Sequence, residues 1–145
     1  HYLKCYHCSD SQLGAFIDWI QKQDFYKDTV VVITGDHLTM QGNIADMFDY
    51  NNENNRYVYN VYLNTNREEN RTKNRKFNSF DFYPTTLSAL GFEIKGNRLG
   101  LGTNLFSNRE TLTEKYGKEK LDEKLQDNST FYDDILIQDT FKNCG

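Results

Sequence analysis

Asp36 and His37 stand side by side just after five β-branched or aliphatic residues, Thr29-Val30-Val31-Val32-Ile33, and a short Thr34-Gly35 step. A carboxylate next to an imidazole suits a borderline divalent ion, and such an ion can polarise a phosphoryl or carbonyl oxygen. The same two residues also read as a strand that ends in a turn, with Asp36 capping the next segment and His37 at the surface. Two ligands do not make a site, since zinc centres need three or four. Two further groups could do chemistry. Cys5-x-x-Cys8 has the spacing of half a zinc site or of a redox pair, but no second pair or downstream His-x-x-x-His accompanies it, so packing or incidental thiols is the plainer account. The third cysteine, Cys144, stands alone near the end of the chain. The glycine-rich run at residues 96–104 lacks the Lys-Ser/Thr ending of a phosphate loop and reads as a tight surface crossing, with Arg98 as the one side chain in it able to grip an anion.

The elements that position these residues follow from periodicity. The unalternating run at 29–33 reads as a strand covered on both faces. Ligands of open α/β sheets sit beyond the carboxyl ends of strands, which is where Asp36 and His37 fall. Before it, Leu3, Tyr6, Leu13, Ile17 and Ile20 recur at helical spacing, widened by Phe16 and Trp19. Asp10 falls on that stripe, so either one long helix holds it as a hydrogen-bonded inner carboxylate, the favoured reading, or the helix starts at the Ser9-x-x-Gln12 capping box. Gly14 suggests close packing against a neighbour. Residues 38–55 have no period and read as a loop over the reactive edge or as a disordered insertion, with a helical turn near 44–48.

Residues 56–63 are rich in aromatic and β-branched types and form a second strand. The mixed charges from 64 to 75, Arg75 among them, read as a solvated connection. Residues 79–91 form a helix in which Ser79 or Asp81 caps, Pro84 sits in the first turn, Phe80, Tyr83, Leu87 and Leu90 share a face, and Gly91 ends it. Residues 110–126 read as an exposed helix packed through Leu112, Tyr116, Leu121 and Leu125, with a Glu114 to Lys118 pair. Ile135-Leu136-Ile137 suggests an edge strand. Asn70-Arg71-Thr72 and Asn128-Ser129-Thr130 match glycosylation triplets that chance explains in a chain so rich in Asn.

The chain has 145 residues, ten Tyr, ten Phe, a single Pro and a net charge of −4. That is one domain or part of one, with no basic field for nucleic acid. No apolar run spans a bilayer, and the start resembles neither a signal peptide nor an initiator Met, so the first residue reads as a cut with targeting signals upstream.

Four ordered stretches, at 31–40, 59–62, 80–87 and 96–107, resemble the C-terminal part of phosphoglycerol transferases, the lipoteichoic acid synthase-like branch of the sulfatase/alkaline phosphatase superfamily. The helix before the strand resembles theirs too. The resemblance implies an α/β fold, part of an alkaline phosphatase-like domain with a mostly parallel sheet flanked by helices, residues 1–110 lying in the catalytic domain and 111–145 forming its helical tail. It implies a divalent ion, manganese first and zinc or magnesium as variants, with Asp36 and His37 as two of its ligands. A Glu ligand, a Thr nucleophile and substrate-binding His and Arg belong to the N-terminal part of such a domain. His1 is a candidate for that substrate His, although it sits closer to the helix than expected.

The implied partners are the N-terminal part of the same domain, a phosphatidylglycerol-type donor and an envelope glycan or teichoic acid acceptor. The implied location is the extracytoplasmic face of a bacterial membrane, the parent protein being membrane-anchored. This chain alone is then expected to be inactive, and its exposed sheet edge to seek a partner or a second copy. The rivals are a sulfatase or phosphoethanolamine transferase of the same superfamily and a non-catalytic envelope module that binds glycan or protein.

Overall fold

Helix α1 runs without a break over Tyr2–Ile20 in the computed structural model, which describes residues 2–37, 57–66 and 73–133. His1, the loop at 38–55, Asn70-Arg71-Thr72, Ile135-Leu136-Ile137 and Cys144 lie outside the described residues. The helix does not begin at Ser9, whose capping box is passed over. Leu13 and Ile17 are half-buried and Ile20 is buried, one face at i, i+4 and i+7, whereas Leu3 and Tyr6 are exposed. Asp10 is exposed as well, which corrects its reading as an inner carboxylate. Residues 3–12 of α1 are exposed, so the stripe there meets water and a carboxylate in it needs no protein partner. Gly14 likewise marks no close approach, because nothing lies within 4 Å of where its Cβ would stand.

The chain divides into two compact units, His1–Arg67 with Ala89–Phe92, and Glu68–Ser88 with Glu93–Gly145. In the first, rings of Phe16 and Trp19 lie 5.8 Å apart and Trp19 and Phe25 6.4 Å apart, joining the end of α1 to the short 3-10 turn Asp24–Asp28. Strand β1, Val31–Thr34, then pairs antiparallel with β2, Asn60–Leu63, in the register Val31 to Leu63 and Thr34 to Asn60. Asn64, at φ +57°, donates from Nδ2 to the carbonyls of Tyr26 (2.6 Å) and Thr29 (2.9 Å), so the exit of β2 is tied to the entry of β1.

One expectation is not shown here and another is corrected. Both strand pairs among the described residues are antiparallel, and no parallel sheet is seen there. β1 is half-buried rather than covered on both faces. An apolar run without alternation reports which residue types can be covered, not the direction of the neighbouring strand, and antiparallel partners accept a connection of any length.

The second unit is built around a buried guanidinium. Arg75, 9 % exposed, donates from Nε to Glu114 Oε1 (2.8 Å), from Nη2 to Glu114 Oε2 (2.9 Å) and the Arg109 carbonyl (2.7 Å), and from Nη1 to the carbonyls of Leu105 (3.1 Å) and Ser107 (2.8 Å). Every N–H of the group is thus satisfied. Its reading as part of a solvated stretch is overturned, because local charge mixing says nothing of acceptors thirty residues onward. Asn78, not Ser79 or Asp81, caps the next element. It forms a reciprocal capping box with Asp81 at the start of the 3-10 turn Ser79–Asp81, which leads into α2, Phe82–Ala89. Gly91 comes after it at φ +96°.

The inward side of this segment is polar. Asp81 is 1 % exposed and accepts from the backbone N–H of Asn78 (3.0 Å) and of Thr103 (2.7 Å). Burial raises its carboxyl above the ordinary 3.8, against the lowering pull of those two N–H bonds and of Arg75 and Arg98. Thr85 and Ser88 are buried beside it in sequence, while Phe80, Tyr83 and Leu90, expected on the inward face, are exposed and Leu87 is half-buried.

The glycine-rich run is a tight hairpin of β3, Arg98–Leu99, and β4, Gly102–Thr103. A Cβ on Gly102 would collide with the Phe80 carbonyl oxygen, so only glycine lets β4 pass there. The single helix expected at 110–126 is two, α3 at Leu112–Tyr116 and α4 at Lys118–Leu125, separated at Gly117 with φ +75°. Thr111 and Glu114 form the capping box of α3, and Leu121 is the buried anchor of α4. Replacing Arg75 by Met is expected to cost about 3–5 kcal/mol, because the Glu114 carboxylate loses its charge partner, keeping only the Thr111 N–H, and the carbonyls of Leu105, Ser107 and Arg109 lose their donor. Urea denaturation of the two proteins measures it, and a loss below about 1 kcal/mol would show that water replaces the guanidinium freely.

Candidate metal-binding edge

β1 ends at Thr34, and Gly35 extends the ladder by one bond, its N–H donating to the Tyr59 carbonyl at 2.9 Å. A Cβ on Gly35 would stand 3.0 Å from Val58 Cβ and 3.4 Å from the Tyr59 nitrogen. Glycine therefore lets the incoming segment close against the strand tip. Asp36 comes next with its side chain folded over the following peptide, Oδ1 accepting the backbone N–H of His37 at 2.8 Å. That bond fixes one carboxylate oxygen and leaves the other, Oδ2, 3.5 Å from His37 Nε2.

This separation is the test of whether the pair fits an ion. Two ligands each about 2.1 Å from a tetrahedral cation stand about 3.4 Å apart. The Asp36 and His37 side chains are 87 % and 58 % exposed, and an ion pair so open to water adds little to stability. Their approach is thus compatible with chelation and is not explained as a fold-stabilising bridge. Among the described residues no group of three or more His, Cys, Asp or Glu could hold an ion.

The remaining candidates are distributed elsewhere. Arg98 is half-buried and committed to its own hairpin, with Nη2 donating to Thr103 Oγ1 at 3.1 Å and to the Glu110 carbonyl at 2.9 Å, and Nε to the same hydroxyl at 3.3 Å. Cys5 and Cys8 are free and exposed on α1, away from any packing role. One feature the sequence pattern did not single out is Asn60, directly across from Thr34 at the strand tip, whose buried Oδ1 has no hydrogen-bond partner. A buried acceptor left unpaired costs about 1–3 kcal/mol, which marks this edge as polar ground unfinished by the described residues. Its only sequence signal is an Asn inside an otherwise aromatic and β-branched strand.

The sulfatase family model matches residues 1–92. The chain is 31 % identical over 100 residues to phosphoglycerol transferase I of Escherichia coli and to that of Salmonella choleraesuis, and 30 % identical to that of Shigella flexneri. Each match covers 69 % of this chain and 12 % of the relative, so the chain spans a small part of the length of these proteins. No solved structure matches it significantly.

Because the strand tip depends on a missing side chain, Gly35→Val is expected to push residues 57–59 away. Overpacking of this kind costs about 1–3 kcal/mol, which corresponds to roughly 5- to 150-fold faster hydrogen exchange of the amide at position 35. Unchanged exchange would show that the Gly35 to Tyr59 bond does not depend on the glycine.

Proposed function

Since this chain belongs to the sulfatase family, with the α/β fold of the alkaline phosphatase type that membership carries, we propose that it is the C-terminal portion of a metal-dependent phosphoglycerol transferase. Asp36 and His37 supply two ligands of its divalent ion. The observation that carries this reading is the 3.5 Å approach of Asp36 Oδ2 to His37 Nε2 at the end of β1, a separation compatible with two ligands of one divalent ion. The names of the relatives, phosphoglycerol transferase I, favour phosphoglycerol over sulfate as the transferred group.

Each residue here has a definable task. Asp36 Oδ1, held by the His37 amide, keeps the carboxylate from rotating and aims Oδ2 outward. His37 acts as a neutral ligand through Nε2. Gly35 brings the Tyr59 carbonyl onto the strand tip, so both ligands follow directly on the last paired residue of the strand. A divalent ion bound there polarises phosphoryl oxygens and lowers the pKa of a hydroxyl nucleophile.

The nucleophile of this reading is a threonine outside these residues, as are the remaining ligands. The donor is a phosphatidylglycerol-type lipid, the acceptor an envelope glycan or teichoic acid, and manganese the preferred ion. The site works on the extracytoplasmic face of a membrane to which the parent protein is anchored. No helix among the described residues is long and apolar enough to cross a membrane, so the anchor is assigned to another part of the parent.

The test uses the parent protein with labelled phosphatidylglycerol and its acceptor. Asp36→Ala and His37→Ala are each expected to lower kcat/KM by about a hundredfold or more. Chelator should abolish transfer and manganese restore it, and the 145-residue chain alone should release no glycerol phosphate. Variants that keep the parental rate would refute the ligand assignment. A parent that cleaves sulfate esters and leaves phosphatidylglycerol intact would replace this reading with the sulfatase one.

A further inference from the structure

We propose that Cys5 and Cys8 form a redox-active dithiol that closes to a labile disulfide within the first turns of α1 when it meets a small disulfide such as oxidised glutathione. The proposal is independent of the transferase reading.

Packing does not explain these two residues. Cysteine is among the side chains most often buried, yet both are free and exposed on an unbroken helix. A zinc site does not explain them either, since no third ligand joins them among the described residues. Their spacing is three residues within Tyr2–Ile20. In a regular helix that places the Cα atoms about 5 Å apart, within the window of about 4.4–6.8 Å that a disulfide accepts. The Cβ atoms, about 5–6 Å apart on such a helix, must close to about 3.5–4.5 Å.

Tightening the local turn toward 3-10 geometry does this, because side chains three apart then eclipse. The surroundings permit it. Residues 3–12 are all exposed, so the turn can tighten without displacing a packed neighbour, its amides shifting from i−4 to i−3 acceptors. Gln12 Nε2 donates to Cys8 Sγ at 3.8 Å, a long contact that rotates away at little cost. A bond made under this strain and open to solvent is easily reduced, the property of labile rather than structural disulfides.

The exchange balances without a further reagent. One cysteine thiolate attacks a sulfur of the small disulfide, breaking its S–S bond and expelling one small thiolate, which leaves a mixed disulfide on the protein. The thiolate of the other cysteine then attacks the protein-bound sulfur, forms the Cys5–Cys8 bond and expels the second small thiolate. Two protein thiols are oxidised, one small disulfide is reduced to two thiols, and the protons from the cysteines end on the departing thiolates.

The experiment incubates the 145-residue chain, with Cys144→Ser, in oxidised glutathione and reads its intact mass. The expected product has lost the mass of two hydrogens, carries no glutathione and returns to the starting mass in dithiothreitol. Cys5→Ser and Cys8→Ser, both at exposed positions, should each stop at a single glutathione adduct. A Cys144→Ser chain that keeps two glutathiones, links to a second chain, or stays reduced would overturn the proposal.

Discussion

The buried guanidinium of Arg75 is the constraint on which the second half of the chain depends. It joins the segment before α2 to the carbonyls of Leu105, Ser107 and Arg109 and to the first turn of α3 through Glu114. A charge taken out of water costs several kcal/mol unless each of its donors is met, so the loop at 104–111 must hold its carbonyls in fixed positions. The neighbouring polar groups serve the same end. Asn104 accepts the Phe106 amide and donates to Ser88, and Ser107 donates back to the Asn104 carbonyl. The Thr111 hydroxyl donates to Lys76 O at 2.5 Å, beside Arg75 in the chain. Buried positions here include Arg75, Asp81, Thr85, Ser88, Thr103, Asn104, Ser107 and Thr111, so this unit is organised by a satisfied polar network more than by an oily centre.

The first unit works on a different principle. Its two strands are short and half-buried, and what is well defined is the tip: a glycine without room for a larger side chain, an amide bonded to Tyr59, and a carboxylate folded onto the following peptide. Asp36 and His37 leave this tip with their side chains open to water. That combination suits a site to be completed by groups from elsewhere.

Much of this was legible in the residues. The strand run before Asp36 and His37, the long helix before it and a helical segment ahead of Gly91 are set by local periodicity and local punctuation, and these elements form, although their caps, bounds and buried faces differ in detail. What was hidden depends on distant partners. Arg75 lies in a string of mixed charges that reads as solvated, and only acceptors thirty to thirty-nine positions away make it a core residue. Phe80, Tyr83 and Leu90 have the spacing of an inward face, but the Asp81 carboxylate, claimed by the Thr103 amide, turns the polar side inward instead. Strand direction was hidden for the same reason, since β1 alone carries no mark of which way β2 runs.

The most direct test of the central claim is anomalous diffraction at the manganese edge from crystals of the whole catalytic domain grown with that ion. The account predicts a single strong peak within about 2.2 Å of both Asp36 Oδ2 and His37 Nε2. A manganese peak held by other residues, with Asp36 and His37 turned to solvent, would contradict it.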